Sequence, residues 1–151
     1  MITDKYYTNY EMLQALEAAT NKINRLTTKL ERYTRGKNDC LALFVEYDTE
    51  LRKEKSTAKD LIDFNWGSTE EFVVKLLKKG YDLPSYAKYC GYEIVKNKKP
   101  KLGDAAFDNG AMISNGSFWV STDERNTGVI NKKQQMFLET KATIIARPLR
   151  R

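Results

Sequence analysis

Side chains able to do chemistry are few in this chain, and what is missing narrows the options first. There is no histidine among the 151 residues. That removes Ser-His-Asp and Cys-His catalysis, imidazole metal ligation and the usual proton shuttle at neutral pH. The two cysteines, Cys40 and Cys90, form no CxxC pair, so neither a zinc site nor a redox motif can be drawn from them. Both stand among apolar or aromatic neighbours, and buried free thiols are expected. Asp104, Asp108, Asp123 and Glu124 fall in turn-rich sequence. Their spacing fits no calcium loop, and Asp is an ordinary turn former. No two acids are singled out as a hydrolase pair. The expectation is therefore no catalytic residue, no metal and no cofactor.

Binding chemistry is better represented. In Ser117-Phe118-Trp119-Val120-Ser121-Thr122, strand alternation puts Trp119 and Ser121 on one face and Phe118 and Val120 on the other. A Trp flanked by Ser121 and Thr122 can hold a sugar ring or a protein partner by stacking plus hydroxyl contacts. The competing reading makes Trp119 the core of a small sheet. Lys96, Lys98, Lys99 and Lys101 form a basic loop, and Arg147, Arg150 and Arg151 a basic end. These can bind phosphates, with Tyr81, Tyr86, Tyr89 and Tyr92 nearby for stacking on bases. The competing reading is a solvated loop with half-buried tyrosines.

The elements that must position these groups begin with a ladder. Met12, Leu16, Ala19, Ile23, Leu26, Leu30 and Tyr33 recur at alternating steps of four and three. That spacing puts all seven on one helical stripe, which must be buried. Thr8 or Asn9 can cap this helix, and Gly36 can end it. Asp39 can cap a second helix in which Cys40, Phe44, Tyr47 and Leu51 repeat the stripe, so an αα-hairpin is predicted. Whatever part of the first stripe the second helix leaves uncovered is the predicted homo-oligomer interface.

Further along, Ser56 or Thr57 predicts a short helix over 58–64. Ser68 with Glu71 reads as a capping box for a helix whose apolar face is Phe72, Val73, Leu76 and Leu77. Leu83-Pro84 opens another short helix that Gly91 stops. Residues 72–92 can thus be read as helix-turn-helix, although a strand-like Glu93-Ile94-Val95 follows where a recognition helix should stand. After Gly91 the composition changes. Asn115-Gly116 between apolar pieces is a hairpin signal. Ala111–Ile113, Ser117–Thr122, Gly128–Ile130 and Ala142–Ala146 are β-prone. The segment 134–139 reads equally as strand or helix.

The fold class predicted is α+β: an N-terminal antiparallel helical hairpin or coiled coil, a helical middle, and a small antiparallel β-rich module. The boundary falls between a helical region, 1–91, and a β region, 92–151. Hydrophobic residues make up 41% and charged residues 30%, enough to bury a core. A net charge of +6 favours acidic partners, nucleic acid included. The start, MITDKYYTNYEML, lacks the apolar run of a signal peptide, so synthesis in the cytoplasm is expected. No stretch approaches the 18 or so apolar residues of a membrane span.

Three pieces of the second half resemble bacterial C-type-lectin-like domains. Gly80-Tyr81-Asp82-Leu83-Pro84-Ser85 is similar to their Gly-aromatic-x-Leu-Pro-Ser/Thr helix start. Phe118-Trp119-Val120-Ser121-Thr122 is similar to their Trp-Ser-Ser-Thr strand, and Ala146-Arg147-Pro148-Leu149-Arg150 to their Val-Arg-Pro-Val-Arg ending. The order agrees, but the last two pieces stand closer together than usual and no cysteine pair supports the fold. The resemblance implies a protein that binds rather than catalyses. A coiled stalk with a small β tip is also similar in architecture to a phage fibre or capsid-decoration protein, which would place the chain in a virion.

The function expected is a non-enzymatic, self-associating structural or attachment protein. Its helices assemble copies, and its β module presents Trp119, Ser121 and Thr122 to a protein or carbohydrate surface. The alternative is a basic nucleic-acid-binding protein using residues 72–92 and the lysines at 96–101.

Overall fold

In the computed structural model, residues 5–30, 34, 35, 37, 39–62, 66–96, 99–107, 110–122, 130–134 and 144–150 are described. Four helices precede six strands: α1 Asn9–Leu30, α2 Cys40–Arg52, α3 Thr69–Lys78, α4 Leu83–Tyr89, β1 Tyr92–Ile94, β2 Ala105–Phe107, β3 Ala111–Ser114, β4 Phe118–Thr122, β5 Ile130–Gln134 and β6 Ile144–Pro148. The fold is α+β, as composition and turn spacing predict.

Each helix starts where a side chain satisfies the first free amides. Thr8 Oγ1 accepts from Glu11 N at 3.1 Å while Glu11 Oε1 accepts from Thr8 N at 3.0 Å, a reciprocal capping box for α1. Asp39 Oδ1 caps α2 through Ala42 N at 3.0 Å, and its Oδ2 accepts from buried Trp66 Nε1 at 2.6 Å. Ser68 caps α3 through Glu71 N at 3.0 Å. The Glu71 side chain, however, bonds Gly67 N at 2.8 Å, one residue before the cap. Asp82 and Ser85 cap α4 reciprocally, with Pro84 in its first turn.

No helix forms across 56–62. Lys53 takes a positive φ of 56° at the end of α2, which turns the chain through a short 3-10 turn, Lys53–Lys55. Ser56 Oγ then donates to Asp48 Oδ2 at 2.6 Å, and Thr57 Oγ1 to Tyr89 O at 3.1 Å. The hydroxyls that the sequence offers as helix caps are committed to Asp48 and to the Tyr89 carbonyl instead. Phe64, the end of that predicted helix, lies outside the described residues.

The sheet runs β1-β6-β2-β3-β4-β5, with every described pairing antiparallel. β6 enters beside β2, so the last strand lies inside the sheet. Helix α2 is central: it packs on α1 to one side and on β3 and β4 to the other. Cys40 to Asp48 are therefore buried without interruption, where the sequence promises only a stripe. One apolar core runs from Leu16, Ala19 and Ile23 through Phe44 and Tyr86 to Phe107, Ile113 and Val120, so both predicted regions contribute to it. Phe44 is its hub, with ring centroids 5.1 Å from Phe107 and 5.5 Å from Tyr92. On the other sheet face Ala106, Met112, Trp119 and Ile145 form a second cluster, following the period of two.

Gly103 pins the sheet to the helices. Its φ is +89°, and an added Cβ would lie 2.1 Å from Met12 Sδ. Its carbonyl accepts from Tyr47 Oη at 2.8 Å. Only glycine allows that backbone path and that approach.

Candidate functional site

The heptad stripe splits. Met12, Leu16, Ala19 and Ile23 are buried, on the helix that packs against α2. Leu26 and Leu30 are half-buried, and Tyr33 lies outside the described residues. The buried upper stripe, Met12, Leu16, Ala19 and Ile23, is thus taken up within one chain, and of the described positions only Leu26 and Leu30 keep partial exposure for the predicted interface. The reason is geometric: α2 packs along α1 within the same chain.

Trp119 is fully buried, with Ser121 and Thr122 also enclosed. Ser121 Oγ donates to Ala111 O at 3.1 Å. Neither Trp119 Nε1 nor Thr122 Oγ1 has a hydrogen-bond partner among the described residues. Burial corrects the expectation of a contact surface here: a side chain without solvent exposure cannot stack on a ligand arriving from solution. Val120 and Trp119 do lie on opposite faces of the sheet, but the face that carries Trp119 is covered. Of the tyrosines offered for base stacking, Tyr86 and Tyr92 are core residues, whereas Tyr81 and Tyr89 are half-buried.

Lys96, Lys99 and Lys101 are exposed between β1 and β2, and Lys98 lies outside the described residues. Arg147 and Arg150 are each committed to an acid of the same chain. Arg147 grips buried Asp104 with Nε to Oδ1 at 2.9 Å and Nη2 to Oδ2 at 2.8 Å. Burial pushes the Asp104 carboxyl above its ordinary range, against the pull of Arg147. Arg150 pairs with Glu11 and lies 4.9 Å from the Tyr7 ring centroid. The segment 146–150 therefore ties β6 to residues near the start of α1. Residues of the other two similar segments open α4 and form β4.

Two of the buried acids, Asp48 and Asp39, are satisfied internally. Asp48 accepts from Arg52, Ser56 and Tyr92, and Asp39 from Ala42 and Trp66. Among the described residues no cluster of three or more His, Cys, Asp or Glu converges as metal ligands. None of their helices is long and apolar enough to cross a membrane.

Among the exposed apolar side chains, which include Tyr10 and Leu13 on α1 and Phe118 on β4, two stand together on α3. Its capping and its Phe72–Leu76 contact fix its orientation, with both side chains fully buried. Leu77 was assigned to the same apolar face, yet it is 56% exposed, and Val74 is 46% exposed. Leu77 follows Phe72 by five residues, about 140° around the helix, which carries it away from the core. Beside Val74 opens a cleft of about 330 Å³, lined by Leu41, Phe72, Val73 and Leu83 among others. On the flank of α3, Lys75, Lys78 and Lys79 face Lys59 and Asp60 across a second cleft of about 380 Å³. Sequence reasoning missed both features. The signal available for the first was an apolar pair, Val74 and Leu77, out of phase with Phe72 and Leu76. For the second there was none, because Lys59 reaches α3 only through the fold.

Compared with known protein families, characterised proteins and solved structures, the chain matches none.

Proposed function

We propose that this is a non-enzymatic, self-associating structural protein in which α3 joins two copies. The observation that carries the reading is the pair Val74 and Leu77, two large apolar side chains held in solvent on one face of α3, with Val74 lining an apolar cleft. Exposed apolar residues scattered singly are ordinary, but a pair on one helix face bordering such a cleft is the composition of a contact surface.

The occupant is a second copy because the face is self-complementary. Glu70 lies four residues before Val74, and Lys78 four after it. When two α3 helices cross antiparallel about Val74, Glu70 of each copy meets Lys78 of the other, with the apolar residues between them. That is the isologous arrangement of a two-fold dimer. The ion pairs fix orientation and register, and the apolar pair supplies affinity. Attachment or virion assembly, suggested by the segments similar to lectin-like domains, is a further step that this contact would serve.

Light scattering of the full chain over a concentration series tests the reading. A concentration-dependent dimer is expected, lost in Val74→Asp/Leu77→Asp. Glu70→Lys alone should weaken it, and Glu70→Lys with Lys78→Glu should restore it. A monomer at every concentration overturns the reading. So does a dimer indifferent to all these changes.

A further inference from the structure

We infer that Leu77 of each copy seats in the apolar cleft of the other, so that the cleft beside Val74 is the socket of the interface. The inference rests on the reading of α3 as the helix that joins two copies. The cleft, about 330 Å³, is lined by Val73 and Val74 of α3, Leu83 at the start of α4 and Leu41 of α2, with Glu70 also in its lining. Leu77 is not one of its lining residues and stands 56% exposed. One chain thus carries an apolar cleft and, outside it, a large apolar side chain that does not fill it.

The helix spacing points the side chain of a second copy at this cleft. Glu70, Val73, Val74 and Leu77 stand at i, i+3, i+4 and i+7. They share a stripe about 100° wide on α3. Four residues so spaced form the hole that receives one side chain of a facing helix. Glu70, Val73 and Val74 also line the cleft, so hole and cleft are continuous. When α3 of a second copy crosses antiparallel about Val74, its Leu77 is carried to the level of residue 71, over this hole. The two-fold axis makes the exchange mutual.

Charge and area both select a second copy as the occupant. Lys78 follows Leu77 directly, and both Lys78 and Glu70 are exposed. Seating Leu77 therefore brings the ammonium of one copy to the acid of the other copy's cleft, which fixes the register. α3 has ten residues, about 15 Å of helix roughly 10 Å wide. Two such helices meeting only along their ridges cover much less than the roughly 800 Å² per partner of a stable interface. Entry of Leu77 into the cleft brings α2 and α4 into the contact through Leu41 and Leu83. It also covers Val73 and Leu83, which are only half-buried in the single chain.

The test fills the cleft from α4 and leaves every α3 side chain in place. In light scattering of the full chain, Leu83→Trp should raise the dimer dissociation constant about tenfold or more, with an unchanged circular dichroism spectrum. Leu77→Ala should weaken the parent dimer by a similar factor, but the Leu83→Trp dimer much less, because the two changes remove one contact. A second measurement does not depend on Leu83→Trp folding. An equal mixture of Leu77→Cys and Leu83→Cys is treated with oxidised glutathione, the two native thiols being buried. Peptide mapping should find a disulfide joining position 77 of one copy to position 83 of the other. A folded Leu83→Trp with the parent's dissociation constant overturns the inference, and so does absence of the cross-link. If Glu70→Lys still weakens the dimer in either case, α3 joins the copies without the cleft, and only the inference falls. A monomer at every concentration overturns both readings.

Discussion

Arg52 Nε donates to Asp48 Oδ1 at 2.9 Å, one helical turn away, and both side chains are buried. The same guanidinium reaches Leu149 O at 2.9 Å and Gly91 O at 3.0 Å. One residue of α2 therefore ties the β1 approach and the chain's end to the core. Gly91, at φ +94°, leaves the room: an added Cβ would stand 2.8 Å from Arg52 Nη1.

Removing one partner leaves the other as an unpaired buried charge. Arg52→Ala should cost about 3–5 kcal/mol in urea unfolding. Asp48→Leu/Arg52→Met should cost less than the two single changes summed, because the stranded charge disappears. Additive losses would mean that the pair is not coupled.

Trp119 separates core from contact. Trp119→Ala should destabilise by about 3–5 kcal/mol through the cavity it leaves. Trp119→Phe keeps most of the volume and should cost much less. If Trp119→Ala melted like the parent, the residue would not be holding the second cluster together.

The Glu11–Arg150 pair predicts an acid limb. Arg150, then the Thr8 amide, hold the Glu11 carboxyl down at about 2 from its ordinary 4.5. The folded value lies below the unfolded one, so the stabilisation is complete above about 4.5 and disappears as pH falls through about 2. Both side chains are about one-third exposed, at 37% and 32%, so salt should weaken the effect. Arg150→Gln should raise the Glu11 titration towards 4.5 by NMR. An unmoved midpoint would assign the shift to the helix cap alone.

Both thiols should be silent in the native protein. Burial pushes Cys90 up to about 12 and raises Cys40 as well. A thiol-reactive disulfide reagent should modify neither until the chain unfolds, and then both. Rapid labelling of Cys90 under native conditions would show that α4 opens locally.

Local rules made the helices and turns legible. Thr8, Asp39, Ser68 and Leu83-Pro84 mark helix starts because a cap is a contact between near neighbours. The stripe from Met12 to Ile23 announces the hairpin for the same reason. β2 gave no such signal, since Ala105 and Ala106 have weak strand preference. Its position between β6 and β3 fixes it, and small side chains fit a strand that is buried on both faces.

Alternation along β4 shows which side chains share a face but not which face is covered. That depends on the packing of elements distant in sequence, and it buries Trp119. Leu77 fails in the opposite direction, because apolar character does not say whether a neighbour arrives. The lysine cleft exists only where 59–62 meets α3. Sequence alone determined the α+β class, the caps and the hairpin, because capping and the period of apolar residues are written within short segments. Tertiary structure alone decided which apolar and basic groups face solvent, because exposure belongs to the assembled surface rather than to any one segment.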